Sequence, residues 1–379
     1  VEQAQWPHPG PVHLNLPFRE PLLPAIDVPV AALPPATTVG RPALHPSPAA
    51  LAEAASRLGQ GPGAIVCGEM KAIAGFAEAV VALANRLECP VFAEPLSGLR
   101  FGTHDRSCLV VRYNRWPVGA SPRPDWVLRF GNWPVTRRLQ EFAGAAGEQV
   151  LVDPLPRWSD PAHSLTCLLR ADPVAACAAL AASDIPPSPR GWREDCLRLD
   201  REAAAEATAE AHWWPSLLAA LPAGQAVFVG NSLPVRELDS FSGSFATPLR
   251  FFANRGASGI DGNVSTALGI AAATGSVLAV IGDLTCQHDL GGLALARGLD
   301  AVIVAVNNSG GGIFDHLPQA SLPEFERGWR TPQDLDFAGA AATFGLDFTR
   351  CEDGSALAAA VSRALAAGGA HLIELVASD

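Results

Sequence analysis

The chain has 379 residues, 49% of them hydrophobic and 17% charged, with a formal net charge of -11. That is enough chain for two domains with buried cores, and the acidic balance excludes a nucleic-acid partner that would need a basic face. No apolar run reaches the ~18 residues required to span a bilayer, so no membrane span is expected. The single methionine is Met70, and the opening Val1-Glu2-Gln3-Ala4-Gln5-Trp6-Pro7 lacks the charged and apolar regions of a signal peptide. A start within a longer gene product is the simplest expectation, with a trimmed native start as the alternative. Eight cysteines form no C-x-x-C pair and nine histidines show no zinc spacing, which points to reduced core thiols in a cytoplasm.

In chain order, residues 1–46 are proline-rich and read as a crossover segment, with one short strand expected at 12–16. Helix-like 48–58 leads to strand-like 64–67, and helix-like 73–87 leads to strand-like 90–93. Further strands are expected at 126–130, 149–152 and 165–169. Pro186, Pro187 and Pro189 mark a linker at 183–190, and residues 191–222 read as helical. A second series has strands at 226–229, 250–253, 277–281, 302–306 and 372–376, with helices at 262–273, 288–297 and 355–367. Strands alternating with helices imply βαβ units, hence an α/β fold with two doubly wound parallel sheets. The expected division is a crossover at 1–46, a middle Rossmann-like domain at 47–185 and a third segment at 186–379.

The segment 277–314 carries the chemistry. One apolar strand ends in Gly282-Asp283 and the next in Asn307-Asn308. In a right-handed βαβ unit both strand ends lie on one edge of the sheet, so Asp283 and Asn308 can meet. A carboxylate and an amide oxygen suit Mg2+ or Mn2+, and the carbonyl of Gly310 offers a third ligand. Gly282 lets backbone approach a phosphate, and a helix beginning near Gln287 is expected to point its N–H groups at that anion. The plainer alternative is an ordinary βαβ unit with an acidic turn. A dinucleotide site is disfavoured because no G-x-G-x-x-G follows a strand.

The spacing resembles the Gly-Asp-Gly…Asn-Asn motif of thiamine-diphosphate (ThDP) enzymes, with Leu284 in the third position in place of glycine. Three blocks are similar to the 2-succinyl-5-enolpyruvyl-6-hydroxy-3-cyclohexene-1-carboxylate synthase family of menaquinone biosynthesis: 230–236 (GNSLPVR), 254–262 (NRGASGIDG), and Asn308 through Gly312-Ile313-Phe314 with Leu317-Pro318. The stretches 11–15 and 16–18 are similar to that family's entry into its middle domain. The resemblance implies ThDP with Mg2+ or Mn2+ as cofactors, 2-oxoglutarate and isochorismate as substrates, and 186–379 as the diphosphate-binding domain. It places Gly256, Ser258, Gly282, Asp283, Leu284, Thr285, Asn308, Gly310, Gly311 and Ile313 against the cofactor, with Ile260 as the wedge that bends it. It gives substrate contacts to Ser232, Arg236 and Arg255 and apolar pocket walls to Ile313, Phe314 and Leu317. Arg236 and Arg255 are also suited by their own chemistry to carboxylates.

Other charged clusters, Arg137-Arg138 and 327–330, read as solvated faces; Trp213-Trp214 reads as helix packing, and Gly131-Asn132 as a vestigial strand-end site at most. The family's activating glutamate belongs to an N-terminal pyrimidine-binding domain with no counterpart in this sequence. The chain is therefore expected to hold half of each site, to be inactive alone, and to assemble as a homodimer or homotetramer. Rival expectations are an acetolactate-synthase-like ThDP lyase and a non-catalytic cofactor-binding module.

Overall fold

Short runs of Val, Ile, Leu and Phe that are apolar at every position make strands buried on both faces, which requires helices on both sides of a parallel sheet. The computed structural model describes residues 10–20, 42–207 and 212–377, with residues 4, 22, 23, 32, 34, 35 and 37–40. The first unit contains α1 (Pro48–Ser56), β1 (Gly63–Cys67), α2 (Phe76–Arg86), β2 (Val91–Ala93), β3 (Leu109–Val110), β4 (Trp126–Phe130), α3 (Arg137–Gly144), β5 (Glu148–Val152), β6 (Cys167–Leu169), α4 (Pro173–Ala181) and α5 (Trp192–Ala207). Its strands are parallel in the order β3-β2-β1-β4-β5-β6. Local chemistry sets the helix starts. Ser47 accepts from the Ala50 N–H ahead of Pro48, and Asp172 accepts from Val174 and Ala175 ahead of Pro173.

The second unit contains α6 (Trp213–Ala219), β7 (Ala226–Val229), α7 (Leu233–Phe241), β8 (Arg250–Phe252), α8 (Asn263–Thr274), β9 (Ser276–Gly282), α9 (Asp283–His288), β10 (Asp300–Asn307), α10 (Phe337–Phe344), β11 (Asp347–Cys351), α11 (Gly354–Ala367) and β12 (Ala370–Val376). Its strands are parallel in the order β11-β12-β10-β9-β7-β8. Two doubly wound parallel sheets are thus present, as the alternation requires. Among the described residues no helix is long and apolar enough to cross a membrane.

Four local readings differ. Residues 12–16 form no strand; Val12, Leu14, Leu16 and Phe18 alternate but stand exposed, with no neighbouring strand among the described residues to pair them. The helix expected at 288–297 instead begins at Asp283 as α9 and continues as a 3-10 turn over Leu290–Ala296, where Gly291-Gly292 weakens α-helix. Strands β3 and β11 were not expected: the first is two residues long and the second is a partly exposed edge. Helix α5, grouped from sequence with the second unit, packs on the first sheet, where Cys196 and Ala203 join Ala64, Val66 and Phe92. The Asp200 carboxylate fixes it there by accepting from the N–H groups of Val111 at 2.7 Å and Arg112 at 2.6 Å.

A buried polar cluster joins the units. Asp239 of α7 pairs with Arg100, and both are essentially inaccessible to water. Its carboxylate also accepts from Tyr113 Oη at 2.6 Å, Asn114 Nδ2 at 2.8 Å and Thr136 Oγ1 at 3.0 Å. Arg100 further donates to the carbonyls of Ala93 at 2.6 Å and Asp239 at 2.9 Å. Such a pair persists in low dielectric only when its remaining valences are met in this way. Burial, with the Asp239 charge beside it, pushes the neighbouring Glu94 up to about 8. Helix α7 is therefore held against the first unit.

Candidate functional site

In the second sheet the chain moves from β7 to β8 on one side and then to β9 on the other. Loops leaving the carboxyl ends of strands that flank such a reversal diverge and leave a crevice. A cavity of about 160 Å³ lies there. It is walled by Ser232, Leu233, Pro234 and Glu237 after β7, by Gly282 through Thr285 after β9, by Asn308 and Gly310 through Phe314 after β10, and by Ile260, Val306 and Ala377.

Asp283, the first residue of α9, is buried. Its carboxylate accepts from the N–H groups of Leu284 and Gly310, each at 2.7 Å. Burial raises its pKa, while those two hydrogen bonds oppose the rise. Asn308 Oδ1 is buried in the same cavity with no partner among the described residues. The carboxylate and the loop bearing the amide oxygen thus meet across β9 and β10, as the strand-end spacing predicts. The helix that begins there has only six residues and starts at Asp283, not near Gln287.

The loop after β10 is a glycine cradle. Gly310 has φ +126°, and a Cβ there would lie 2.3 Å from the Arg330 carbonyl; one on Gly311 would lie 2.8 Å from the Trp329 carbonyl. The turn at Glu326–Arg330 lies over this loop, and Arg330 donates to the Asn308 carbonyl at 2.6 Å and pairs with Asp315. Arg330 is therefore part of the site's second layer and not a solvated face. Arg137 does fit that reading: it is exposed beside Glu141. Trp213 and Trp214 stack at 4.6 Å, with Trp214 fully buried.

Ser232 caps α7 with φ +73°, an uncommon conformation for a residue with a side chain. Asn231 fixes it by donating to the carbonyls of Asn254 at 2.9 Å and Gly259 at 2.7 Å. Arg255 donates to Asn231 Oδ1 at 2.5 Å, and Arg236 to the Ser232 carbonyl at 2.7 Å. Burial lowers the Arg236 pKa, and the nearby Arg255 charge adds to the shift. Arg255 Nε has no partner among the described residues. The two guanidiniums are neighbours, but neither lines the cavity. Arg255 instead faces the groove between the units with Gly256, Glu69, Asn132 and Arg157.

The structure gathers Ser232, Ile260, Gly282, Asp283, Leu284, Thr285, Asn308, Gly310, Gly311, Ile313 and Phe314 around one cavity. It leaves Gly256, Ser258 and Leu317 exposed and outside that lining. One residue is misplaced by the sequence and one is missed. Arg330, read there as part of a solvated face, reaches back 22 positions to Asn308, and no local signal announces that. Glu237 stands four residues after Leu233 on α7, a helical spacing that could have placed it on the cavity face.

Residues 240–375 match the family description "Thiamine pyrophosphate enzyme, C-terminal TPP binding domain". Relatives named 2-succinyl-5-enolpyruvyl-6-hydroxy-3-cyclohexene-1-carboxylate synthase are similar along nearly the whole chain. The one from Dechloromonas aromatica (strain RCB) is 54% identical, over 99% of this chain and 70% of its own length. That from Geobacillus kaustophilus (strain HTA426) is 41% identical, over 99% and 69%. That from Halobacterium salinarum (strain ATCC 29341 / DSM 671 / R1) is 39% identical, over 99% and 69%.

Proposed function

Because the chain belongs to the family of 2-succinyl-5-enolpyruvyl-6-hydroxy-3-cyclohexene-1-carboxylate synthases, which are ThDP-dependent enzymes, we propose that it takes part in that synthase reaction. In this reading 2-oxoglutarate loses CO2 and its remaining four-carbon unit adds to the conjugated alkene of isochorismate. The shared name of the relatives favours this over an acetolactate-synthase-like lyase.

The observation that carries the reading is the buried, unpartnered Asn308 Oδ1 beside the Asp283 carboxylate at a strand-end crevice. A metal bound to hard oxygen donors suits that pair, and the glycine cradle suits a diphosphate. Asp283, Asn308 and the Gly310 carbonyl would hold Mg2+ or Mn2+. Gly282, Leu284, Thr285, Gly311 and Ile313 would line the cofactor. ThDP, when bound, supplies the electron sink for decarboxylation. The chain's own residues do the rest. Ile260 and Phe314 shape an apolar, water-poor wall. Arg236 and Arg255 present guanidinium charge to substrate carboxylates from the α7 end. In this reading residues 47–185 form the middle domain and residues 186–379 the diphosphate-binding domain, with α5 docked on the former.

The same reading includes a cytoplasmic setting, supported by eight free cysteines, and a homodimer or homotetramer, supported by the exposed apolar side chains at 12, 14, 16 and 18. The test is calorimetric titration of the chain with ThDP and Mg2+. Asp283→Ala, which removes a metal ligand and the anchor of Gly310, should weaken binding by at least ~100-fold. Unchanged affinity in this variant would remove the metal and diphosphate assignment.

A further inference from the structure

Glu237 is a titratable cavity residue to which the reaction above gives no task. It shares a face of α7 with Leu233, and both line the cavity. Burial alone shifts its carboxyl, with no hydrogen bond or charge partner among the described residues contributing. Across the same cavity Asn308 Oδ1 has no hydrogen-bond partner among the described residues. Buried polar groups find partners in almost every folded protein, so the unpaired Asn308 Oδ1, with the half-buried Glu237 facing it across one cavity, points to an occupant.

We infer that Glu237 serves this cavity as a hydrogen-bond donor, its carboxylic acid proton directed to an anionic oxygen of the occupant, a phosphate or a carboxylate oxygen. The inference rests on the ThDP and oxo-diacid reading above. The chemistry follows from the surroundings. Burial pushes the Glu237 pKa up to about 7, so the neutral acid is well populated near neutrality. Only that form can donate, and the carboxylate would repel an oxyanion. The charged groups around α7 do not alter this. Arg236 on the same helix is turned to the Ser232 carbonyl, and Asp283 lies across the cavity. Arg115 and His212 meet the far end of the helix at Phe241. Asp239, Arg100 and Glu94 belong to the buried cluster between the units. Strand β9 and helix α6 carry no titratable side chain.

The sign of the linkage is fixed. Glu237 has a pKa raised to about 7, so its donor form predominates below that pH, is half-populated at it and declines above it, and anion binding weakens as pH rises. The experiment is calorimetric titration at pH 6 and pH 8.5 in two arms: ThDP with Mg2+ onto the chain, then glutarate, an unreactive dicarboxylate, onto the ThDP-loaded chain. Proton linkage predicts about 30-fold weaker binding at pH 8.5 in the arm whose ligand meets Glu237. Glu237→Gln keeps a donor that does not titrate, so its affinity should stay near the pH 6 value. The difference between wild type and Glu237→Gln removes any titration belonging to the ligand. A difference in the first arm assigns the contact to phosphate, and one in the second assigns it to carboxylate. Identical pH slopes for wild type and Glu237→Gln in both arms would overturn the inference. Absence of ThDP binding by the wild-type chain at either pH would instead sink the underlying cofactor reading, and this inference with it.

Discussion

Each sheet has a point where the strand order reverses, and the two are treated in opposite ways. In the first sheet the reversal falls between β1 and β4, and the loops after them are pressed together. A Cβ on Gly68 would lie 2.1 Å from the Asn132 carbonyl, one on Gly131 would lie 2.6 Å from the Glu69 carbonyl, and Asn132 donates to Glu69 at 2.7 Å. In the second sheet the loops after β7 and β9 stay apart around a cavity that contains the unpaired Asn308 Oδ1. A strand-order reversal thus gives a closed seam in one unit and an open cavity in the other. A fold offers a position for chemistry, and the side chains at that position decide whether it is used.

The largest way to break the contrast is at the joint between the units. Asp239→Ala leaves Arg100 buried without its counter-ion and should destabilise the protein by about 3–5 kcal/mol, measured by chemical denaturation. A loss below about 1 kcal/mol would show that the cluster is not a joint. Next comes the substrate end of α7. In active enzyme, Arg236→Ala or Arg255→Ala should cost about 1.5–3 kcal/mol in kcat/KM for 2-oxoglutarate through lost charge-assisted hydrogen bonds, with ThDP affinity retained. Wild-type kinetics in both variants would withdraw the substrate assignment. The sharpest comparison is the smallest. Gly131→Ala (φ +76°) and Gly310→Ala (φ +126°) each force a side chain into a strained conformation and a close contact, costing about 1–3 kcal/mol of stability. Only Gly310→Ala should also weaken ThDP binding. Equal effects on ThDP titration would erase the difference between the two loops.

The legible and illegible parts of the sequence differ in range. Strand β7 is plain in sequence because it is an unbroken apolar run, and Asp283 and Asn308 stand out as polar residues at the ends of two further runs of that kind. Right-handed crossover geometry then brings them together without further information. The Arg100–Asp239 pair spans 139 positions, and nothing local marks either residue as a partner of the other. Helix α5 misled for a related reason. Its apolar face is visible, but which of two sheets it covers depends on Asp200 meeting the backbone at Val111 and Arg112. Strand β3, with two residues, is too short for any alternation to register.

The buried joint bears on how this architecture can be recombined. An exchange of the second unit for a foreign α/β unit would bring a helix lacking Asp239 against Arg100, which is 0% exposed and has no water to fall back on. The Tyr113, Asn114 and Thr136 donors would lose the same acceptor at once. Chimeras cut at the proline-rich stretch around residues 186–189 would therefore fail even where both halves carry complete sheets. Successful ones would carry α7 together with the surface that receives it, which makes that contact the smallest heritable module of the pair.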